Sequence, residues 1–224
     1  MKRYFQVVWA VLWKDLRIEL RTKDVFTSMA VFAALSLVIF NFAFELRIPD
    51  KAIIVPGVLW VTITFAGVLG LGRAFISEKD RGSLAGLLLA PVDRSAVYFG
   101  KMLASLIFIL VVEAFILPLI VVFFNVPLIT PSLILILLLG TIGFAAVGTI
   151  FSALAVNTRA REVLLPVLLL PILLPLLIAG IRTTIGLLEG QSLADHANWL
   201  QLIIFFDIVF LVAAFLTFDY VVEE

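Results

Sequence analysis

Apolar residues gather into six stretches, at about 25–44, 53–76, 102–124, 133–156, 163–181 and 201–218. Each reaches or approaches the roughly 20 residues that a helix needs to cross a bilayer core. Runs such as Leu133–Leu139 are continuously apolar, whereas the strands of a membrane barrel alternate. In lipid a helix satisfies its own backbone polar groups. The pattern therefore predicts an all-α, polytopic membrane protein with six transmembrane helices, one transmembrane domain over residues 1–224. Residues 1–24 differ. Phe5, Trp9, Leu12, Leu16 and Leu20 repeat at helical spacing, with Arg3, Gln6, Lys14, Arg17 and Arg21 opposite. That pattern predicts an amphipathic helix in the membrane interface, with tryptophans at headgroup depth and cations near anionic headgroups. A signal peptide is the competing reading. The surface helix is the favoured of the two, because Val7–Trp13 runs into Lys14-Asp15-Leu16-Arg17 with no small-residue cleavage site.

The longest polar connection, Ser77–Lys101, reads SEKDRGSLAGLLLAPVDRSAVYFGK. It is too long for a tight turn and too short for a domain. Charged Glu78, Lys79, Asp80 and Arg81 give way to Gly82 and Ser83, then to an apolar run that ends at Pro91. Ser83 can cap a helix and Pro91 can end one, and Asp93-Arg94-Ser95 offers a second cap before the third span. The expectation is a short helix exposing Leu84, Leu87 and Leu88. An apolar helix outside the bilayer needs a cover. It packs back onto the membrane surface or the N-terminal arm, or it docks into a groove on a partner.

Composition and charge sharpen this picture. Of 224 residues 63% are hydrophobic and 14% charged, with a mean hydropathy of +1.22. Soluble domains average about 45–50% apolar and about 25% charged, so a soluble domain, a disordered chain and a nucleic-acid binder are excluded. There is no cysteine, hence no thiol chemistry or disulfide framework. The net charge is zero, but the cations are unevenly placed. Lys2, Arg3, Lys14, Arg17, Arg21, Lys23, Arg73, Lys79, Arg81, Arg94, Lys101, Arg159 and Arg161 fall on one side of the predicted spans; Arg47, Lys51 and Arg182 fall on the other. The positive-inside rule then places both termini in the cytoplasm.

Inside the spans, Glu113 and Asp207 are candidate functional groups, because ionisable residues at such depth are costly and face the bundle interior. A substrate-path or proton-relay role competes with a protonated carboxyl hydrogen-bonded to a neighbouring helix. Pro166, Pro171 and Pro175 punctuate the fifth span, and Pro171 and Pro175 are candidate gate or kink positions. Gly140, Gly143 and Gly148 give the fourth span a small-residue face, for contact within the chain or with a second copy. His196, the one histidine, lies in Asp195-His196-Ala197-Asn198-Trp199 and reads as an interfacial polar residue rather than a metal ligand. No nucleophile–base constellation or phosphate-binding loop is present.

Several pieces occur in an order that resembles the heme exporter protein B family. They are Leu12-Trp13-Lys14-Asp15-Leu16-Arg17-Ile18-Glu19-Leu20-Arg21, Val55-Pro56-Gly57-Val58-Leu59-Trp60-Val61, Asp80-Arg81-Gly82-Ser83-Leu84 with Leu87 to Pro91, Leu139-Gly140-Thr141, and Leu170-Pro171-Ile172-Leu173-Leu174-Pro175-Leu176-Leu177. Ala85 departs from the pattern where an acidic residue is expected. The resemblance implies the permease subunit of an ABC transporter for cytochrome c maturation, with an ABC-2 exporter-like architecture. It implies two copies over two copies of a separate ATPase, in the bacterial inner membrane. Other membrane subunits would handle heme, and a periplasmic heme chaperone would be an indirect partner. The complex would export heme or use ATP hydrolysis to release the heme-loaded chaperone. Heme would be the substrate of the complex, with no cofactor bound directly here and ATP held by the partner. Glu78, Asp80, Gly82, Ser83, Leu84, Leu87, Leu88 and Pro91 would form the coupling element that rides in the ATPase. The alternative is an ion-coupled secondary transporter using Glu113 and Asp207, which calls for an internal repeat or a richer set of buried charges.

Overall fold

The computed structural model describes residues 2–45, 51–80, 92–155, 158 and 161–223. Among these residues the chain forms seven α-helices: α1 (Lys2–Thr22), α2 (Asp24–Glu45), α3 (Val55–Asp80), α4 (Arg94–Phe124), α5 (Pro131–Ala155), α6 (Arg161–Leu188) and α7 (Ala197–Glu223). Short 3-10 turns at Lys51–Ile53 and Leu193–His196 precede α3 and α7. Six helices, α2 to α7, are long and apolar enough to cross a membrane. This is an all-α, multi-pass membrane protein.

Helices α3 and α5 form the interior. In each, 72% of the most apolar stretch is buried, whereas the corresponding stretches of α2, α4, α6 and α7 are only 22–33% buried. Val31, Leu35, Ile39 and Phe42 of α2 and Phe205, Val212, Phe215 and Leu216 of α7 all point outward. In water such faces would be an aggregation liability; in a bilayer they are the lipid-facing surface. The interior helices approach one another through glycine. A methyl group at Gly67 would overlap Phe144, one at Gly148 would overlap Leu71, and one at Gly140 or Gly180 would overlap the Trp60 ring. Without a hydrophobic force between helices in lipid, close backbone approach of this kind supplies the packing energy. The small-residue face of α5 therefore serves contacts within the chain, to α3 through Gly140 and Gly148 and to α7 through Gly143.

Helix ends are tied by local chemistry. Asp93 caps α4, its Oδ1 accepting from Ser95 N at 3.0 Å and from Ser95 Oγ at 2.7 Å. Asn125 ends α4 in the left-handed region, φ +53°, and returns its N–H to the Val121 carbonyl. Pro131 opens α5, where its missing N–H costs nothing. Lys23, at φ +58°, makes the joint between α1 and α2. Across that joint the Glu19 carboxylate accepts from the backbone N–H groups of Val25 (3.3 Å) and Phe26 (2.7 Å). A negative charge at a helix N-terminus is favourable, so α1 carries its own clamp on the start of α2.

Helix α1 lies along the first turns of α4. Val8 and Val11 sit over Gly100, where a side chain would collide with them. Tyr4 Oη lies 3.0 Å from Ser95 Oγ, and Asp15 pairs with Lys101 at 3.6 Å. Lys101 is only 3% exposed. The apolar stripe read from sequence is thus split. Leu12 is buried with Val8 and Val11, whereas Phe5, Trp9 and Leu20 stay outside. The helix is turned by roughly a quarter turn relative to that stripe, because the small notch at Gly100 selects the valine side.

Candidate functional site

Two groups of residues were singled out by sequence: the loop after α3 and the polar groups within the spans. The loop is bracketed by α3, which ends at Asp80, and α4, which starts at Arg94. Gly82, Ser83, Leu84, Leu87, Leu88 and Pro91 lie outside the described residues. Glu78 and Asp80 belong to the last turns of α3. What is visible is the base on which the loop stands. Its downstream anchor, Asp93–Ser95, is bonded directly to Tyr4 of α1.

Glu113 of α4 is buried against α5. Its Oε1 lies 2.5 Å from Thr141 Oγ1, which lies 2.7 Å from the Leu137 carbonyl. One hydroxyl has one proton, so Thr141 cannot donate to both oxygens. Threonine in a helix commonly donates back to the carbonyl four residues earlier. A carboxylic acid on Glu113 then completes the chain by donating to Thr141. Glutamine has the same shape and can donate in the same place. We therefore expect Glu113→Gln to fold, assemble and function normally, with a stability change below about 1 kcal/mol. Normal assembly with lost transport activity would instead give Glu113 a role in proton or substrate passage.

Asp207 of α7 packs against Gly143 of α5. Its Oδ1 is buried with no hydrogen-bond partner among the described residues. Residues two apart on a helix project roughly 200° apart, so Thr141 and Gly143 offer different sides of α5. Glu113 and Asp207 are therefore not brought together as a carboxylate pair, and a shared ion site between them gains no support. Pro171 and Pro175 both face outward from α6, and the helix is continuous through Pro166, Pro171 and Pro175. They do not line the interior of this chain. His196 packs over Gly186, with its Nε2 2.6 Å from Gln191 Oε1, and so is engaged locally.

Sequence reasoning gave no role to Trp60. Its indole fills the notch between Gly140 and Gly180, and its Nε1 donates to Thr184 Oγ1 at 3.0 Å. One aromatic residue thereby joins α3, α5 and α6. The signal in the sequence was only a tryptophan within a span, away from the aromatic belt where it is usual.

The CcmB protein family model matches residues 6–223. The chain belongs to the CcmB family. This CcmB-family chain is 28% identical over 191 residues to heme exporter protein B of Pseudomonas aeruginosa, covering 85% of this chain and 86% of that one. It is 32% identical over 187 residues to heme exporter protein B of Rhodobacter capsulatus, covering 82% and 85%. A shorter match of 96 residues, also 28% identical, joins it to heme exporter protein B of Escherichia coli K12, 43% of this chain and 44% of that protein. In the CcmB-family frame, the matched segment takes in α3 and α4, the connection between Asp80 and Arg94, the Trp60 notch and both buried acids.

Proposed function

We propose that this chain is the non-catalytic, membrane-spanning permease subunit of an ABC-type heme-export complex acting in cytochrome c maturation. Family membership across nearly the whole chain carries this reading, supported by relatives named heme exporter protein B of matching length. Energy comes from a separate cytoplasmic ATPase, because the sequence holds no phosphate-binding loop. The segment from Glu78 to Pro91 is the coupling element that this ATPase grips. Both termini and that segment lie on the cytoplasmic side of the bacterial inner membrane, on the strength of the cation asymmetry. Two copies act together, and heme is the cargo of the complex rather than a resident cofactor. Helix α1 lies at headgroup depth, alongside the part of α4 that overshoots the hydrocarbon core.

The test is to purify the chain from its native membrane in mild detergent and identify what accompanies it by mass spectrometry. An ATPase subunit and heme-handling membrane subunits are expected. ATP is expected to drive release of the heme-loaded chaperone from the assembled complex. A chain that purifies alone, with transport that follows a pH gradient instead of ATP, would overturn the reading in favour of an ion-coupled carrier.

A further inference from the structure

We infer that α1 is a binding site for anionic phospholipid, its aromatic side entering the acyl boundary and its arginines meeting lipid phosphates. The inference rests on the headgroup-depth placement of α1 proposed above. Four observations carry it.

The helix has three sides, not two. One side, Val8, Val11, Leu12 and Glu19, is buried. The second, Phe5, Trp9, Trp13 and Leu20, is uncovered by the other described residues, with Phe5 67% and Leu20 72% exposed. Along it the Trp9 and Trp13 rings stack at 6.4 Å, only 8° from parallel. The third side carries exposed Arg3, Arg17 and Arg21.

Charge on α1 is sorted by side. Its two acids are both used inside the protein: Asp15 pairs with Lys14 and Lys101, and Glu19 caps α2. The outward surface of α1 is thus cationic although the whole chain is neutral. Aromatic residues beside arginines on one exposed helix suit an anionic lipid surface.

Depth follows from length. Helix α4 has 31 residues, about 46 Å at 1.5 Å per residue, roughly 16 Å more than the hydrocarbon core. Helix α1 packs on Ser95, Gly100 and Lys101, within the first turns of that helix. It is joined to the start of α2, itself a membrane-spanning helix. Both contacts put α1 at the headgroup level, where phosphates are.

The experiment uses the purified full-length chain in mixed micelles of dodecyl maltoside with equal phosphatidylglycerol and phosphatidylcholine. Lipid retained after gel filtration is quantified by mass spectrometry. Phosphatidylglycerol is expected to be enriched several-fold, and less so in 0.5 M salt, which screens exposed charge. Each cation near an anionic surface is worth about a fivefold change in partitioning. The Arg3→Gln, Arg17→Gln, Arg21→Gln triple variant should therefore lose most of the enrichment while keeping its phosphatidylcholine. Arg182→Gln, an exposed cation on α6, should keep the enrichment. Enrichment that survives the triple variant, or that Arg182→Gln removes equally, overturns the assignment. So does its absence from the wild-type chain. None of these readouts needs ATP or a partner subunit, so failure here is distinct from failure of the permease reading.

Discussion

A Gly140→Val variant is expected to lose about 3 kcal/mol of stability, measured by denaturant unfolding in mixed micelles. Overpacking in a filled core costs about 1–3 kcal/mol when the neighbour can shift. Here it has nowhere to go. The added side chain meets the rim of the Trp60 indole, and that same rim is pressed against Gly180. Its Nε1 is also held by Thr184. The value therefore falls at the upper end of the range. Trp60→Ala alone should cost about 3–5 kcal/mol, by the cavity it leaves. The double variant should cost at least about 1 kcal/mol less than the sum, since valine fills part of the space the indole leaves. Gly57→Ala is the control. A methyl there meets nothing within 4 Å, and helix propensity favours alanine by up to about 1 kcal/mol. Additive losses at Gly140 and Trp60, or a loss at Gly57 equal to that at Gly140, would remove the notch from the account of how α3, α5 and α6 are held.

This notch also marks where sequence stopped being legible. Continuous apolar runs announced helices and their number, because in lipid the backbone leaves no other choice. Asp93 announced the start of α4, because capping is a local chemistry written within three residues. Trp60, Gly140 and Gly180 are far apart in the chain, and no periodicity links them. The side of α1 that would dock was hidden for a related reason. Val8 and Val11 read as apolar in the same way as Phe5 and Trp9, and only the missing side chain at Gly100 separates them. Buried ionic contacts were equally invisible. Lys101 counted as one more cation of the loop, yet it is buried and paired with Asp15. The prolines of α6 suggested a gate, and their outward placement now points to the face that lipid or a second copy covers.

The coupling proposal stands or falls on Leu84 and Leu87. Between Asp80 and Arg94 the chain has only a short span in which to present an apolar surface. Leu84 and Leu87 are three apart in sequence, a spacing that would share one face of the short helix expected from sequence. A leucine of each kind, buried in a partner's groove, contributes about 1.5–3 kcal/mol. A glutamate in its place forfeits that and adds an unpaired buried charge. The Leu84→Glu, Leu87→Glu double variant should therefore weaken ATPase binding by at least about a hundredfold, the equivalent of 2.8 kcal/mol. Affinity capture of the complex, with the ATPase quantified against this chain, reads that loss. The bundle should remain folded, because Trp60 ties α3 to α5 and α6, and Tyr98 and the α1 contacts tie α4 in place. Tyr98, whose hydroxyl donates to the Ala146 carbonyl at 2.9 Å, would keep its near-ultraviolet signal. If the two leucines instead lie on the membrane surface or on α1, the variant keeps its ATPase and changes lipid retention. Intact pairing with altered lipid would move the coupling surface off this loop.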